Sequence, residues 1–299
     1  FAADNALNSV GTPGSAPSSQ ATYLAAGDVL VELGLPDDEN LTLVLNRKMS
    51  SAWVNGTVTY FNPAGTIGGQ YAKGHVMDSL GYKIVRDQTI NQHTNGTFTV
   101  VGLVNGAQTA DGGNNATMDL VTDGWTALSG NVGDRFTIGS SSSATVGGVE
   151  SVHPITRLST GRQQVFTIRK AVVDVGGAAT ITVAPAITPA TLAQYANQYA
   201  NVNIAAPDNG IITMIGTTGV LSTQGLLLHE NAAAFVSVPM WNPPAAGVIS
   251  ANVITDDETG LSINQVCYFD GDNRQAKWRF DCLWDNGNLY REMSCVIQG

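Results

Sequence analysis

An α+β body that carries an inserted all-β unit is the fold class the sequence predicts. Apolar residues recur at helical spacing near the start of the chain. Helical periodicity then disappears between about residues 96 and 206, where short strand patterns alternate with turn clusters. Strand-like alternation resumes and runs to Gly299. The expected organisation is residues 1–95 as the first part of the body, 96–206 as an inserted β-barrel, and 207–299 as closing body strands.

Each element has a local reason. Residues 1–17 are rich in Gly, Pro, Ser and Asn, and Gly11 to Pro17 reads as an extended loop. Ser18 or Ser19 is placed to cap a helix on which Tyr23, Ala26, Leu30 and Leu33 share a face, and Gly34 with Pro36 ends it. Asn40–Asn46 is a short apolar strand. A second helix is expected from Lys48 to about Tyr60, weakened by Gly56. Gly81–Arg86 returns as a strand. In the insertion, Thr97–Val101, Asp134–Ile138, Val165–Arg169 and Ala179–Ala184 fit strands, with turns at Asp111–Asn115, Gly139–Ser143 and Gly176–Gly177. The chain re-enters the body after Pro207–Gly210, with Gly210–Ile215 as the first returning strand. Near the end Trp278, Phe280, Cys282 and Trp284 alternate with Lys277, Arg279 and Asp281. They read as one apolar strand face in the body core, on which Trp284→Ala costs about 3–5 kcal/mol.

The charge balance narrows the function. Only 13% of the residues are charged, about half the usual share. A chain so poor in charge hides surface in another way, and assembly into a large oligomer does so. The net charge of −10 argues against tracking of phosphates by clustered cations. The densest basic group, Arg157, Arg162, Arg169 and Lys170, fits solvated strand positions. Three cysteines, Cys267, Cys282 and Cys295, form no CxxC pair and read as free thiols rather than disulfides or a zinc site. No apolar run of 18 residues is present, so no membrane-spanning helix and no membrane partner is expected.

Catalytic and cofactor signatures are missing from the sequence. There is no GxSxG elbow, P-loop, dinucleotide-binding glycine pattern or HExxH. His75, His93, His153 and His229 are dispersed, without a partner at metal-ligand spacing; His153 reads as a loop residue and His229 as a residue that caps or packs at an element end. Asp256–Glu258 and Asp270–Asn273 are oxygen-rich, but the second fails the EF-hand pattern and both read as solvated turns. The Asn-x-Thr triplets at Asn40, Asn55, Asn95 and Asn115 are chance matches in a Thr-rich chain. No enzyme activity, cofactor or metal is expected.

Several blocks carry a family resemblance. The strongest lie at the end: Gln224-Gly-Leu-Leu-Leu-His229 with Asn231, Ala232 and Phe235; Gly260-Leu-Ser-Ile263; and Arg279, Asp281, Leu283, Arg291 and Glu292 in the closing pair of strands. Weaker blocks precede them in order, among them Gly11–Ser19, Gln70–His75, His93-Thr94, Thr122–Trp125, Val132–Ile138 and Leu158–Gly161. Together they resemble the major capsid (coat) proteins of tailed bacteriophages, in the branch with an inserted β-barrel, the Salmonella podovirus coat-protein type. Glu230, Asp285–Asn288 and Arg291 depart from the family pattern. The family's N-terminal arm, extended loop and spine helix find no counterpart and are expected ahead of Phe1.

The resemblance implies the rest. The fold is the HK97-like phage capsid fold, with 1–95 the first part of the axial domain and 207–299 the closing axial and peripheral strands. The function is a non-enzymatic shell subunit whose pentamers and hexamers build an icosahedral capsid around double-stranded DNA. Implied partners are further copies of the chain, a scaffolding protein, a portal and decoration proteins; the location is the virion, after assembly in the host cytoplasm. A loop of the inserted barrel reaches a neighbouring capsomer, so Asp111, Asn114, Asn115 and Asp119 are expected to meet Arg157 or Arg162 of another copy. Three other readings compete: a cargo-enclosing nanocompartment of the same fold, a β-rich fibre or adhesin, and an enzyme with a cation site between Asp256 and Asp272. The inserted barrel speaks against the first, and the two early helices and lack of repeats against the second.

Overall fold

The computed structural model describes residues 6–36, 40–57, 78–99, 101–109, 116–190, 199–241 and 248–299. It divides into two units, residues 1–232 with 290–299, and residues 233–289. The first unit opens with β1 (Asn8–Gly11), α1 (Gln20–Glu32), β2 (Leu41–Leu45), α2 (Arg47–Thr57), β3 (Asp78–Ser79) and β4 (Tyr82–Arg86). Then come β5 (His93–Thr94), β6 (Thr97–Phe98), β7 (Leu103–Val104), β8 (Met118–Asp123), β9 (Leu128–Gly130) and β10 (Arg135–Ile138). They are followed by β11 (Glu150–Val152), β12 (Ser159–Gln163), β13 (Val165–Ile168), β14 (Val172–Val173), β15 (Ala179–Ala184) and β16 (Ile212–Met214). β17 (Leu221–Ser222) and β18 (Gln224–His229) precede the second unit, which holds β19 (Ala233–Val238), β20 (Val248–Thr255), β21 (Ser262–Asp270), β22 (Gln275–Asp281) and β23 (Leu283–Asn288). β24 (Ser294–Gln298) belongs to the first unit again. No described helix is long and apolar enough to cross a membrane.

The body is a six-stranded mixed sheet in the order β1-β24-β18-β2-β4-β3. Its inner strands bury residues on both faces, as strands covered from both sides must. On one face Leu43, Leu45, Leu227, Cys295 and Ile297 pack with α1 and α2, where Tyr23 stacks on Trp53 at 4.2 Å. On the other face Leu226 and Val296 meet Ala6. α1 starts where Ser19 Oγ accepts from Ala21 N–H at 3.2 Å and ends at Gly34, whose φ is +85°. Gly27 lets this helix approach the sheet: a Cβ there would lie 2.0 Å from the Tyr82 hydroxyl. α2 is described to Thr57, so the expected extension to Tyr60 lies outside the described residues.

The insertion is a closed barrel. Its strands run β16-β10-β13-β15-β8-β7, and β7 returns to the chain beside β16 through Ile212 N–H to Gly102 O at 2.9 Å and Val104 N–H to Gly210 O at 3.0 Å. Alternate residues fill the interior, with Phe136 and Phe166 5.8 Å apart among Leu120, Ile138, Ile181 and Ile212. One boundary needs correction. The strand expected to open the returning body at Gly210–Ile215 is β16, and it pairs with β10 inside the barrel, Phe136 facing Met214. The barrel therefore runs past residue 206, because six strands close the sheet only if the exit segment supplies one.

A fragment of residues 93–222 is expected to give dispersed amide NMR signals. A fragment of 96–206 lacks buried Ile212 and should be less stable by about 2 kcal/mol or more in urea unfolding. Equal midpoints would show that β16 is not part of the cooperative barrel.

Candidate assembly surfaces and the neck of the barrel

The insertion leaves and re-enters the body through two stitched segments. β5 pairs with β17, Thr94 facing Leu221 and His93 facing Ser222. Asn95 donates its side-chain amide to Ile215 O and Thr217 O at 3.2 and 3.1 Å. At the centre is Asp134, 1% exposed. Its carboxylate accepts from His93 Nε2 at 2.7 Å, Asn131 N–H at 2.8 Å and Gly96 N–H at 3.1 Å. One buried carboxylate thus ties the entry strand to the turn that leads into β10 of the barrel wall, and these donors replace the water it loses. The sequence held both partners in separate blocks, but nothing in their spacing of 41 residues joined them.

The expected intercapsomer residues are only partly visible. Asp111, Asn114 and Asn115 lie outside the described residues. Asp119 is exposed on β8 and accepts from the Thr182 hydroxyl at 2.6 Å. Arg157, in a turn with φ +59°, donates to Ala200 O at 3.2 Å. Arg162 is engaged inside its own chain, with Nε 3.0 Å from Glu32 Oε2, an exposed pair that contributes little to stability.

The second unit overturns the expected core strand. Trp278 and Phe280 lie on β22, Trp284 on β23, and Cys282 falls between them. β22 pairs with β21 and β23 with β19, so the continuous alternation belongs to two strands with different partners. All four side chains are exposed, Trp278 at 57%, Phe280 at 66% and Trp284 at 56%. Alternation sets which way residues point and says nothing about what covers them. The sheet β20-β21-β22 is two-faced. Cross-strand register sets Trp278 beside Cys267, Phe280 beside Gln265 and Ile254 beside Ile263 on one side, with Phe269. The other side carries Lys277, Arg279 and Asp281, as expected; Arg279 pairs with Asp281 at 2.8 Å and Lys277 with Asp270. On the second ribbon Trp284 stacks on Phe235 at 5.7 Å, both exposed. On the Trp278 side of the three-stranded sheet, Ile254, Ile263, Phe269, Trp278 and Phe280 are exposed around Asn252 and Gln265, and large exposed apolar residues gathered on one sheet face are of the kind that contacts use.

The family model for P22 coat protein, gene protein 5, matches residues 8–296. The chain belongs to the P22 coat protein family. No curated protein matches it. As a member of a coat-protein family it is a structural protein and not an enzyme, a major capsid component of a bacteriophage virion that works by self-assembly into a capsid.

The other histidines and acidic turns singled out in the sequence serve local structure where they are described. His229 is buried at the end of β18 and its Nδ1 accepts from Asn231 N–H at 3.2 Å, turning the chain. His153 Nδ1 accepts from Ile155 and Thr156 N–H in a loop. Asp256 binds Thr259 and Asp270 binds Lys277 and Asn273, which hold both carboxyls below the usual range. Among the described residues no cluster of His, Cys, Asp and Glu is arranged to hold a metal.

Two outcomes test this geometry. Asp134→Ala leaves buried N–H donors without their acceptor and should cost about 3–5 kcal/mol by urea unfolding, with His93→Gln milder because it keeps a donor; a wild-type midpoint for Asp134→Ala would remove the neck from this role. Burial pushes the Cys295 thiol up to about 12, and Cys267 is buried while Cys282 is exposed. One thiol per native chain should therefore react with a maleimide at neutral pH, and three after denaturation. Fast labelling of Cys295 in the native chain would contradict the buried β24.

Proposed function

We propose that this chain is the subunit of an icosahedral capsid, arranged in pentamers and hexamers with the HK97-like fold, that encloses double-stranded DNA. The family match over residues 8–296 carries the reading. Two features of the chain support it. The open apolar face with Ile254, Ile263, Phe269, Trp278 and Phe280 is a surface that only burial in an assembly makes tolerable. The net charge of −10 suits a container that holds DNA by enclosure rather than by a basic lining. A scaffolding protein, a portal and decoration proteins are the partners such a shell employs, and the host cytoplasm is where it forms. The segment with Asp111, Asn114 and Asn115, together with Asp119, is proposed to reach a neighbouring capsomer, with Arg157 or Arg162 of that copy as the donor to its carboxylates.

Negative-stain microscopy of the full-length product decides the main reading: closed shells are expected, and monomers or fibres would refute it. Residue roles separate by comparing folding with assembly. Trp284→Ala should lower the stability of the isolated subunit by only about 0.5–1.5 kcal/mol, the worth of one aromatic contact. Trp278→Ser with Phe280→Ser should leave melting almost unchanged and reduce the yield of shells at least about tenfold, about 1.4 kcal/mol per subunit. Shells at wild-type yield would take this face out of the assembly.

A further inference from the structure

β2 and β4 run parallel in the body sheet, and an open crevice of about 800 Å³ lies at their C-terminal ends. Arg47 and Lys48 enter it from the first turn of α2, and Arg86 from the end of β4, beside the amides of Asn46, Gln88 and Gln92. All three cations are exposed, and none forms an ion pair among the described residues. Elsewhere Arg162, Lys277 and Arg279 are each matched to a carboxylate. Asp87 also lines the crevice, but it accepts from the N–H and hydroxyl of Thr89 at 2.8 and 2.9 Å and serves its own turn. Two of the cations stand where a helix disfavours them, in a first turn with no acidic residue. No carboxylate among the described residues compensates that placement. An anion seated among the three would relieve their mutual repulsion and complement the start of the helix.

We infer that this crevice is a socket between subunits that receives exposed carboxylates from a turn of a second copy of the chain. The inference rests on the self-assembling shell proposed above and names one of its contacts. Each copy carries 24 acidic against 14 basic residues, so a carboxylate is the charge a neighbour most often presents. The amides around the cations supply neutral donors to the carboxylate oxygens. Shape selects the same partner, since a recess of this volume takes a turn of chain. Duplex DNA is held by rows of cations along its phosphates, and three in a recess form no row. Complementary charge across such a contact also fixes register and rejects wrong encounters between acidic subunits.

The test uses shells assembled from an equal mixture of ¹⁵N-labelled and unlabelled full-length chain. A carbodiimide, which joins an amine to a carboxylate without a spacer, is applied, and Lys48 peptides are read by mass spectrometry. Cross-links from Lys48 to Asp or Glu peptides in mixed-isotope form are expected. Lys48 free in the shells, or joined only within its own copy, would overturn the socket. As a second arm, the triple variant Arg47→Glu, Lys48→Glu, Arg86→Glu should keep the subunit's melting temperature and give at least tenfold fewer shells. Shells in normal yield that no longer retain DNA would assign the crevice to phosphate and overturn the proposal. Absence of shells from the wild-type chain would instead sink the assembly reading, an outcome distinct from wild-type shells with Lys48 free.

Discussion

The pairing of β24 with its two neighbours is the interaction on which the rest of the first unit depends. This strand joins β1 in parallel and β18 antiparallel, and every one of its residues is buried. Gly299 extends the seam, donating to Thr223 O at 2.8 Å. Adjacent strands of one sheet therefore come from residues 8–11, 224–229 and 294–298. Everything between them must leave that sheet and come back to it. The barrel is the longer excursion and the second unit the shorter. Such pairings close long loops before contacts reward them, so the body is expected to be a slow folder whose frame depends on residues 294–299.

An excursion held at its neck needs a joint that does not drift, and Asp134 supplies it. Burying a carboxylate is expensive, and the cost is recovered only when several donors converge on it. His93, Gly96 and Asn131 provide those donors from both sides of the junction. The exposed Arg162–Glu32 pair between barrel and α1 is a weaker constraint, screened by solvent and salt. The buried joint, unlike the surface pair, has no good alternative arrangement, which is what makes it directional.

The second unit lives by a different rule. Its described residues, 233–241 and 248–289, form ribbons whose polar side matches its own charges while its apolar side stays open. For a monomer this would be a liability, since exposed strands with large apolar residues invite aggregation. In a coat protein the same property fits the contact face proposed above. Self-assembly into a capsid adds up many modest contacts, so no single surface has to be very strong.

Much of this protein was legible in its residues. A cap at Ser18 or Ser19, the Tyr23–Ala26–Leu30 face, a strand over Leu41–Leu45 and three of the barrel strands, β10, β13 and β15, follow from local propensity and period, which a sequence displays directly; β7 and β8 did not show that way. Family membership was legible too, because ordered blocks survive where single residues change. Three things were decided only in three dimensions. β16 joined the barrel because closing a sheet is a long-range requirement that no local pattern announces. His93 and Asp134 met because the crossing strands bring them together. The run from Trp278 to Trp284 split into two exposed strands because alternation sets the direction of a side chain, while its burial depends on the layer opposite, which sequence period does not encode.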